Sequence, residues 1–229
     1  MKKNQQLSAK VAEEFLAQNY TFRKNILNGK VEFKDLQKDS EFRIFTKEAL
    51  NTVIHRAKVD GMQCEGKDIK EVIFSENTLT HDPIKDYIAT LPEWDGKDRV
   101  TPLWLRLGEL SDEMCEFLRI YHRSCVAHWL QLDTLHGNEC VPTLIGDQGC
   151  GKTTFAKRLL PADLREYFLD HLNLSNKFDK EMALTNNLLV NLDELDQIKL
   201  GKQPELKQML SKIKVNGRPI YGRSQSDRK

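Results

Sequence analysis

The stretch from Val141 to Thr154, VPTLIGDQGCGKTT, constrains the fold more than any other part of this sequence. It contains the phosphate-binding pattern G-x-x-x-x-G-K-[ST], which runs from Gly146 to Thr153. A short apolar run precedes the glycines, and an amphipathic run at residues 153–160 follows them and stops before Pro161. This order predicts a strand, a loop and a helix, the context in which the pattern binds phosphate.

Each residue type in this pattern has a physical role in holding a phosphate. Glycines accept backbone angles that other residues resist, so successive N–H groups can turn toward one anion, and the following helix adds its positive end. Lys152 is expected to reach the β- and γ-phosphates, and the Thr153 hydroxyl to bind the Mg²⁺ that bridges them. The predicted nucleotide contacts are Gly146, Asp147, Gln148, Gly149, Cys150, Gly151, Lys152, Thr153 and Thr154.

A second, acidic element follows at residues 188–194, LLVNLDE. An apolar strand that ends in acid is the partner of a phosphate-binding loop, and the spacing leaves room for a helix and a strand between them. We predict that Asp193 binds Mg²⁺, directly or through water, and that Glu194 orients or deprotonates the attacking water. The alternative is that both acids are solvated residues after a buried strand.

Composition narrows the class of protein without indicating a function. A hydrophobic content of 39% in 229 residues is enough for a buried core. No stretch approaches the roughly eighteen apolar residues of a membrane span, and no apolar leader follows Met1, so a cytoplasmic protein without membrane contact is expected. The five cysteines include no C-x-x-C pair, which indicates reduced thiols. An alternative for two of these cysteines is a metal site with nearby histidines: Cys125, His128, His136 and Cys140.

Positive charge is concentrated toward the end of the sequence. Residues 199–229 contain nine lysines and arginines against two acidic residues. Such a segment can attract a nucleic-acid backbone through the release of counterions. A charge run is usually only a solvated face, but its position after the acidic element favours a nucleic-acid contact here.

Periodicity indicates how the rest of the chain is organised. Residues 20–35 predict two short strands joined by a turn at Asn28-Gly29, and residues 81–96 predict an extended connection. Helical periodicity occurs at residues 9–19, 46–59, 67–74 and 112–132, the last capped by Ser111. We therefore predict a mainly helical α+β N-terminal domain at 1–90, a linker at 91–105 and a partial ATPase domain at 106–229.

Four sequence elements occur in order along the chain. They are Leu91–Arg99 (LPEWDGKDR), Gly146–Thr154, Asn191–Leu195 (NLDEL) and Arg218–Arg223 (RPIYGR). Together they resemble the virulence-associated protein E family of mobile-element and prophage ATPases, with a likeness that runs from about Phe15 to the last residue. That family is similar to the superfamily-three helicases, ring-forming P-loop ATPases of the AAA+ class that move on single-stranded DNA.

The resemblance implies an α/β fold with a P-loop NTPase core that is incomplete at its C-terminal end. Relatives continue past Arg223 into a strand with a polar sensor residue and then to an arginine finger. The implied ligands are ATP and Mg²⁺, with Lys152 and Glu194 as catalytic residues; many relatives have a small residue in place of Asp193. The residues implied to line a pore and bind DNA are Lys207, Lys214, Arg218 and Arg223.

The expected function is that of an ATP-binding P-loop protein of a mobile element or prophage, with ATP-driven movement on DNA as the parent activity. The implied partners are single-stranded DNA, further copies of the chain (six in the parent family) and a primase or other replication protein. One alternative is a non-catalytic regulatory module that binds nucleotide or DNA. A small-molecule kinase is less favoured, because residues 161–187 contain only Arg165 where kinases carry an arginine-rich lid.

Overall fold

The computed structural model describes residues 2–132, 140–172 and 177–193, and beyond these only 204, 207–208, 215–217 and 226–228. The chain divides into two compact units, Met1–Pro83 and Ile84–Lys229. The domain limits inferred from the sequence, with a separate linker at 91–105, stay a prediction.

The N-terminal unit combines three helices with a four-stranded sheet. Its elements are α1 (Lys2–Asn19), β1 (Tyr20–Asn25), β2 (Val31–Asp35), β3 (Arg43–Ile44), α2 (Lys47–Val59), α3 (Gly66–Ile73) and β4 (Leu79–His81). The strand order is β3-β2-β1-β4, in which β2 runs antiparallel to β1 and β4 runs parallel to it. The predicted helices and the predicted hairpin are therefore confirmed.

Local sequence signals account for these elements. Gly29 takes a φ of +69° in the turn between β1 and β2, which a residue with a side chain resists. Thr46 caps α2 by accepting a hydrogen bond from the Ala49 amide at 3.2 Å. Aromatic rings form part of the core: Phe33 and Phe45 are both buried, with ring centroids 5.0 Å apart. Burial of such rings, together with the aliphatic side chains of the same core, stabilises this unit.

The extended connection predicted at residues 81–96 is wrong in part, because α4 (Pro83–Ala89) forms within it. Pro83 is the first residue of this helix. At that position proline loses no hydrogen bond, and its fixed φ already suits the helix. The Asp82-Pro83 pair therefore starts a helix here.

The second unit contains the sequence elements with predicted chemistry. Its described elements are α5 (Val100–Trp104), a 3₁₀ turn (Leu105–Leu107), α6 (Asp112–Trp129), α7 (Lys152–Arg158), a 3₁₀ helix (Ala162–Tyr167), β5 (Phe168–Leu169), α8 (Lys177–Asn186), β6 (Leu189–Val190), β7 (Val215–Gly217) and β8 (Ser226–Arg228). Ser111 caps α6 as predicted, by accepting from the Met114 amide at 3.2 Å. The helix ends at Trp129, and Gln131 then takes a left-handed φ of 59°.

Strands β5 and β6 pair in parallel, with Phe168 opposite Leu189 and Leu169 opposite Val190. Helix α8 connects them, which is the usual way to join two parallel strands. The helix and strand predicted between the glycine-rich loop and the acidic element are thus confirmed.

The strand predicted before the glycines is wrong, since residues 140–147 have no regular secondary structure. Ile145 is 95% exposed and Val141 is 45% exposed. An extended segment gains stability as a strand only when neighbouring strands pair with it and cover its side chains. Among the described residues, β5 and β6 pair with each other and form no ladder with this segment.

Candidate nucleotide-binding site

The glycine loop, defined as residues 146–151, depends on glycine mainly for its backbone angles. Gly149 and Gly151 have φ values of +80° and +90°, in the left-handed region. A Cβ added at either position would meet no atom within 4 Å, so crowding does not exclude a side chain there. At Gly146 an added Cβ would lie 3.2 Å from Cys150 Sγ. Two of the three glycines are therefore required by conformation.

Lys152 folds back onto the glycine loop. Its ammonium donates hydrogen bonds to the carbonyl oxygens of Gly146 at 2.7 Å and Asp147 at 2.8 Å. The same nitrogen lies 3.7 Å from Cys150 Sγ. A lysine ammonium has three donors, and these contacts place its charge within the loop.

Helix α7 begins directly after the loop, with Gly151 as its N-cap. The Phe155 amide donates to the Gly151 carbonyl at 2.9 Å and closes the first helical turn. Gly151 has no side chain to cap the first N–H groups of the helix, so an anion could accept from them. Thr153 is half-buried and Thr154 is exposed, both in the first turn.

The acidic element follows the parallel strand pair. The Leu188 amide donates to the Tyr167 carbonyl, and the Asn191 amide to the Leu169 carbonyl, at 2.9 and 2.8 Å. Asp193 is exposed and lies just after the carboxyl end of β6. Ligands of parallel sheets usually bind at that edge. Glu194 lies outside the described residues, so its predicted role in orienting water stays a prediction.

A model of the virulence-associated protein E-like domain matches residues 88–229. The chain belongs to this family. The matched range contains the glycine loop and the acidic element but not the N-terminal unit, so the family is shown from residue 88 onward. A comparison with curated proteins found no match.

The virulence-associated protein E-like domain opens with a compact Trp-Asp-Gly loop. Arg99 donates two hydrogen bonds to the Asp95 carboxylate, at 2.7 and 2.8 Å. Asp98 accepts from the Thr101 hydroxyl and from the amides of Thr101 and Val100, which lowers its pKa to about 2. The Arg99 guanidinium likewise lowers the pKa of Asp95 to about 2. These bonds shape the start of α5.

Aromatic packing around Trp104 holds α7 in place. The sequence patterns did not assign these residues to the site. Trp104 is only 2% exposed, and its ring lies 5.3 Å from that of Phe155 in α7. Its indole N–H donates to His122 Nδ1 at 3.1 Å. Burial lowers the pKa of His122 and so favours the neutral ring that can accept this bond.

The apolar residues of α6 and of the segment after it are only partly buried. Leu118 is buried, but Phe117 is 55% exposed, and Leu132, beyond the helix end, is 72% exposed. Trp129 is half-buried, and its indole N–H donates to the Leu188 carbonyl at 2.9 Å. Helical spacing in the sequence predicted this helix but not the partners that its side chains contact.

The predicted DNA-binding residues of the virulence-associated protein E-like domain are described only at Lys207, which is exposed. Lys214, Arg218 and Arg223 lie outside the described residues.

The metal ligands named from the sequence stay predictions. Among the residues that the structure describes, no three His, Cys, Asp or Glu side chains are grouped to hold a metal ion. His136, part of the alternative cluster, lies outside them. The Mg²⁺ ligands Thr153 and Asp193 stay a prediction. None of the five cysteines, all of them described, forms a disulfide.

The described helices also bear on membrane contact: none of them is both long and apolar enough to span a bilayer.

Proposed function

We propose that this protein binds ATP with Mg²⁺ through residues 146–154, as part of a P-loop NTPase core of the AAA+ type. The observation that carries the proposal is the glycine loop itself. Two left-handed glycines stand directly before a helix with no side-chain cap, and the first residue of that helix, Lys152, folds back over the loop. Backbone N–H groups, a helix N-terminus and an ammonium are the groups that hold nucleotide phosphates.

Within this proposal each residue has one role. Lys152 binds the β- and γ-phosphates, which requires it to exchange a loop carbonyl for a phosphate oxygen. The Thr153 hydroxyl and Asp193 bind Mg²⁺, and Glu194 orients the attacking water.

Thermal unfolding with and without Mg²⁺-ATP tests the nucleotide site. Wild type should melt at a higher temperature with the nucleotide, because a ligand at about 100 times its Kd stabilises the fold by about 2.7 kcal/mol. Lys152→Ala should show no such shift, whereas Lys157→Ala, an exposed lysine of the same helix, should behave as wild type. Equal shifts in wild type and Lys152→Ala would contradict the site.

The parent activity we propose is ATP-driven movement on single-stranded DNA during replication or mobilisation of an element. Support comes from the family and from the excess of basic residues at 199–229. The homo-oligomer, a hexamer in the parent family, and a primase or other replication partner belong to the same proposal. Sedimentation with and without Mg²⁺-ATP tests the oligomer.

DNA binding is tested by the salt dependence of affinity for a single-stranded oligonucleotide. Arg218→Ala and Lys207→Ala should each weaken binding and lower the salt slope by about 1, because each removes one phosphate contact. Lys10→Ala, an exposed lysine of the N-terminal unit, is the matched control. An unchanged salt slope in both variants would remove these residues from the DNA site.

Hydrolysis separates the motor from the alternative regulatory module. Turnover of ATP that single-stranded DNA stimulates, and that Glu194→Gln abolishes without loss of binding, supports the motor. Nucleotide binding without turnover in either condition supports the module.

A further inference from the structure

Helix α6 is linked to α7, the helix that follows the glycine loop, through Trp104 of α5. Trp104 of α5 lies between the two: its ring is 5.3 Å from Phe155 of α7, and its indole N–H donates to His122 of α6 at 3.1 Å. The interplanar angle between the Trp104 and His122 rings is 86°, so the two meet edge to face. Because Trp104 is almost fully buried, α7 cannot shift without disturbing this packing.

Helix α6 also holds the start of the acidic element, residues 188–194. Trp129 donates to the Leu188 carbonyl at 2.9 Å, one residue before β6 begins. The amide of Leu188 donates on its other side to Tyr167, just before β5. The backbone at Leu188 is therefore fixed from two directions, by the neighbouring strand segment and by α6.

The positions of His122 and Trp129 on α6 make the two contacts act together. They are separated by about two helical turns, so both side chains leave the helix on one face. A rigid helix that is linked to α7 through Trp104 and bonded to Leu188 through Trp129 restricts the distance between α7 and the start of β6. Lys152 of the proposed site is the first residue of α7, and Asp193 follows β6 by three residues.

We propose that α6 sets the geometry of the nucleotide site, with Trp104 and Trp129 as its positioning residues. The proposal rests on the proposed nucleotide binding at residues 146–154. Neither tryptophan contacts nucleotide in this scheme. Each acts through the element it holds: Trp104 through α7 and its lysine, and Trp129 through β6 and the acid that follows it.

Binding of a fluorescent ATP analogue with Mg²⁺ tests the proposal, measured by anisotropy at a temperature at which every variant is fully folded by circular dichroism. Trp129→Phe and Trp104→Phe keep an aromatic ring but lose the indole donor. Each should raise the Kd by roughly fivefold, the factor expected for one lost hydrogen bond. Trp94→Phe is the matched control, because Trp94 is 79% exposed and its indole bonds only within its own loop.

Tryptophan emission supplies a readout that a merely structural role would not move. The chain has three tryptophans, so in Trp94→Phe the emission comes from Trp104 and Trp129 alone. Their emission should change in a saturable way with Mg²⁺-ADP, and Trp94→Phe/Lys152→Ala should show no change. Trp129 is only half-buried, which keeps this arm informative if Trp104→Phe unfolds.

The outcomes separate the two proposals. Unchanged emission and equal Kd values in Trp129→Phe, Trp104→Phe and Trp94→Phe, together with tight binding by wild type, would overturn the positioning role and leave the nucleotide site intact. No binding by wild type would overturn both.

Discussion

At the scale of single residues, the three glycines of the loop differ in what makes a side chain costly. Gly151 is left-handed and has open space around its Cα, whereas Gly146 has ordinary angles and a neighbouring thiol. The sequence pattern predicted that all three were needed, but it could not distinguish these reasons. Backbone angles and the position of Cys150 Sγ depend on how the loop closes around Lys152.

Gly151→Ala should therefore destabilise the protein more than Gly146→Ala. A left-handed alanine costs about 1 kcal/mol or slightly more, while the Cys150 side chain can rotate away from a methyl group at position 146. Urea unfolding of the two variants beside wild type measures the difference. A larger loss for Gly146→Ala would mean that contact with Cys150, and not backbone angle, controls the loop.

At the scale of elements, prediction from sequence succeeded where the signal is local and failed where it is not. Residues 9–19, 46–59 and 67–74 carry their own periodicity, and they form helices as predicted. The strand before the loop required neighbours that periodicity cannot supply. The same holds for the support of the site, because Trp104 bonds a residue 18 positions away and Trp129 one that is 59 positions away.

Helix α6 should make the stability of its unit sensitive to mild acid. Burial lowers the pKa of His122 below its ordinary value of 6.5, so only the unfolded chain takes up the proton as the pH first falls. Stability is then complete above about pH 6.5 and declines as the pH falls from there through the lowered pKa. Protonated Nδ1 could no longer accept from Trp104, and would instead donate to the Leu118 carbonyl 3.3 Å away.

His122→Asn provides the control, because its side-chain oxygen can accept from Trp104 without titrating in this range. The nearby Tyr121 hydroxyl has a pKa raised by burial and stays neutral throughout. Melting temperatures between about pH 7 and pH 5 should fall more steeply for wild type than for His122→Asn. Parallel pH profiles would contradict the role of His122.

At the scale of the whole molecule, the two compact units have separate buried residues. Phe15 belongs to the hydrophobic core of Met1–Pro83, and Leu160 is fully buried in Ile84–Lys229. The match to the virulence-associated protein E-like domain, at residues 88–229, covers most of the second unit and none of the first. The sequence placed the end of the N-terminal domain at residue 90, whereas the packing of the chain divides it after Pro83. Composition does not show which residues pack together.

Each unit should unfold in its own transition. Phe15→Ala and Leu160→Ala remove buried side chains and should each cost about 3 kcal/mol, but in different units. Scanning calorimetry should show Phe15→Ala lowering one transition and Leu160→Ala the other, with Mg²⁺-ATP raising only the second. A single transition lowered by both variants would mean that the units unfold together.

The bonds from Lys152 to the carbonyls of Gly146 and Asp147 have a kinetic consequence. If the ammonium must leave a carbonyl before it can receive a phosphate, its release precedes capture of the nucleotide. The observed association rate should then level off at high nucleotide concentration, at the rate of lysine release, whereas direct docking gives a rate that keeps rising linearly. In stopped-flow experiments the plateau value would measure the rate at which Lys152 leaves the carbonyls of the loop.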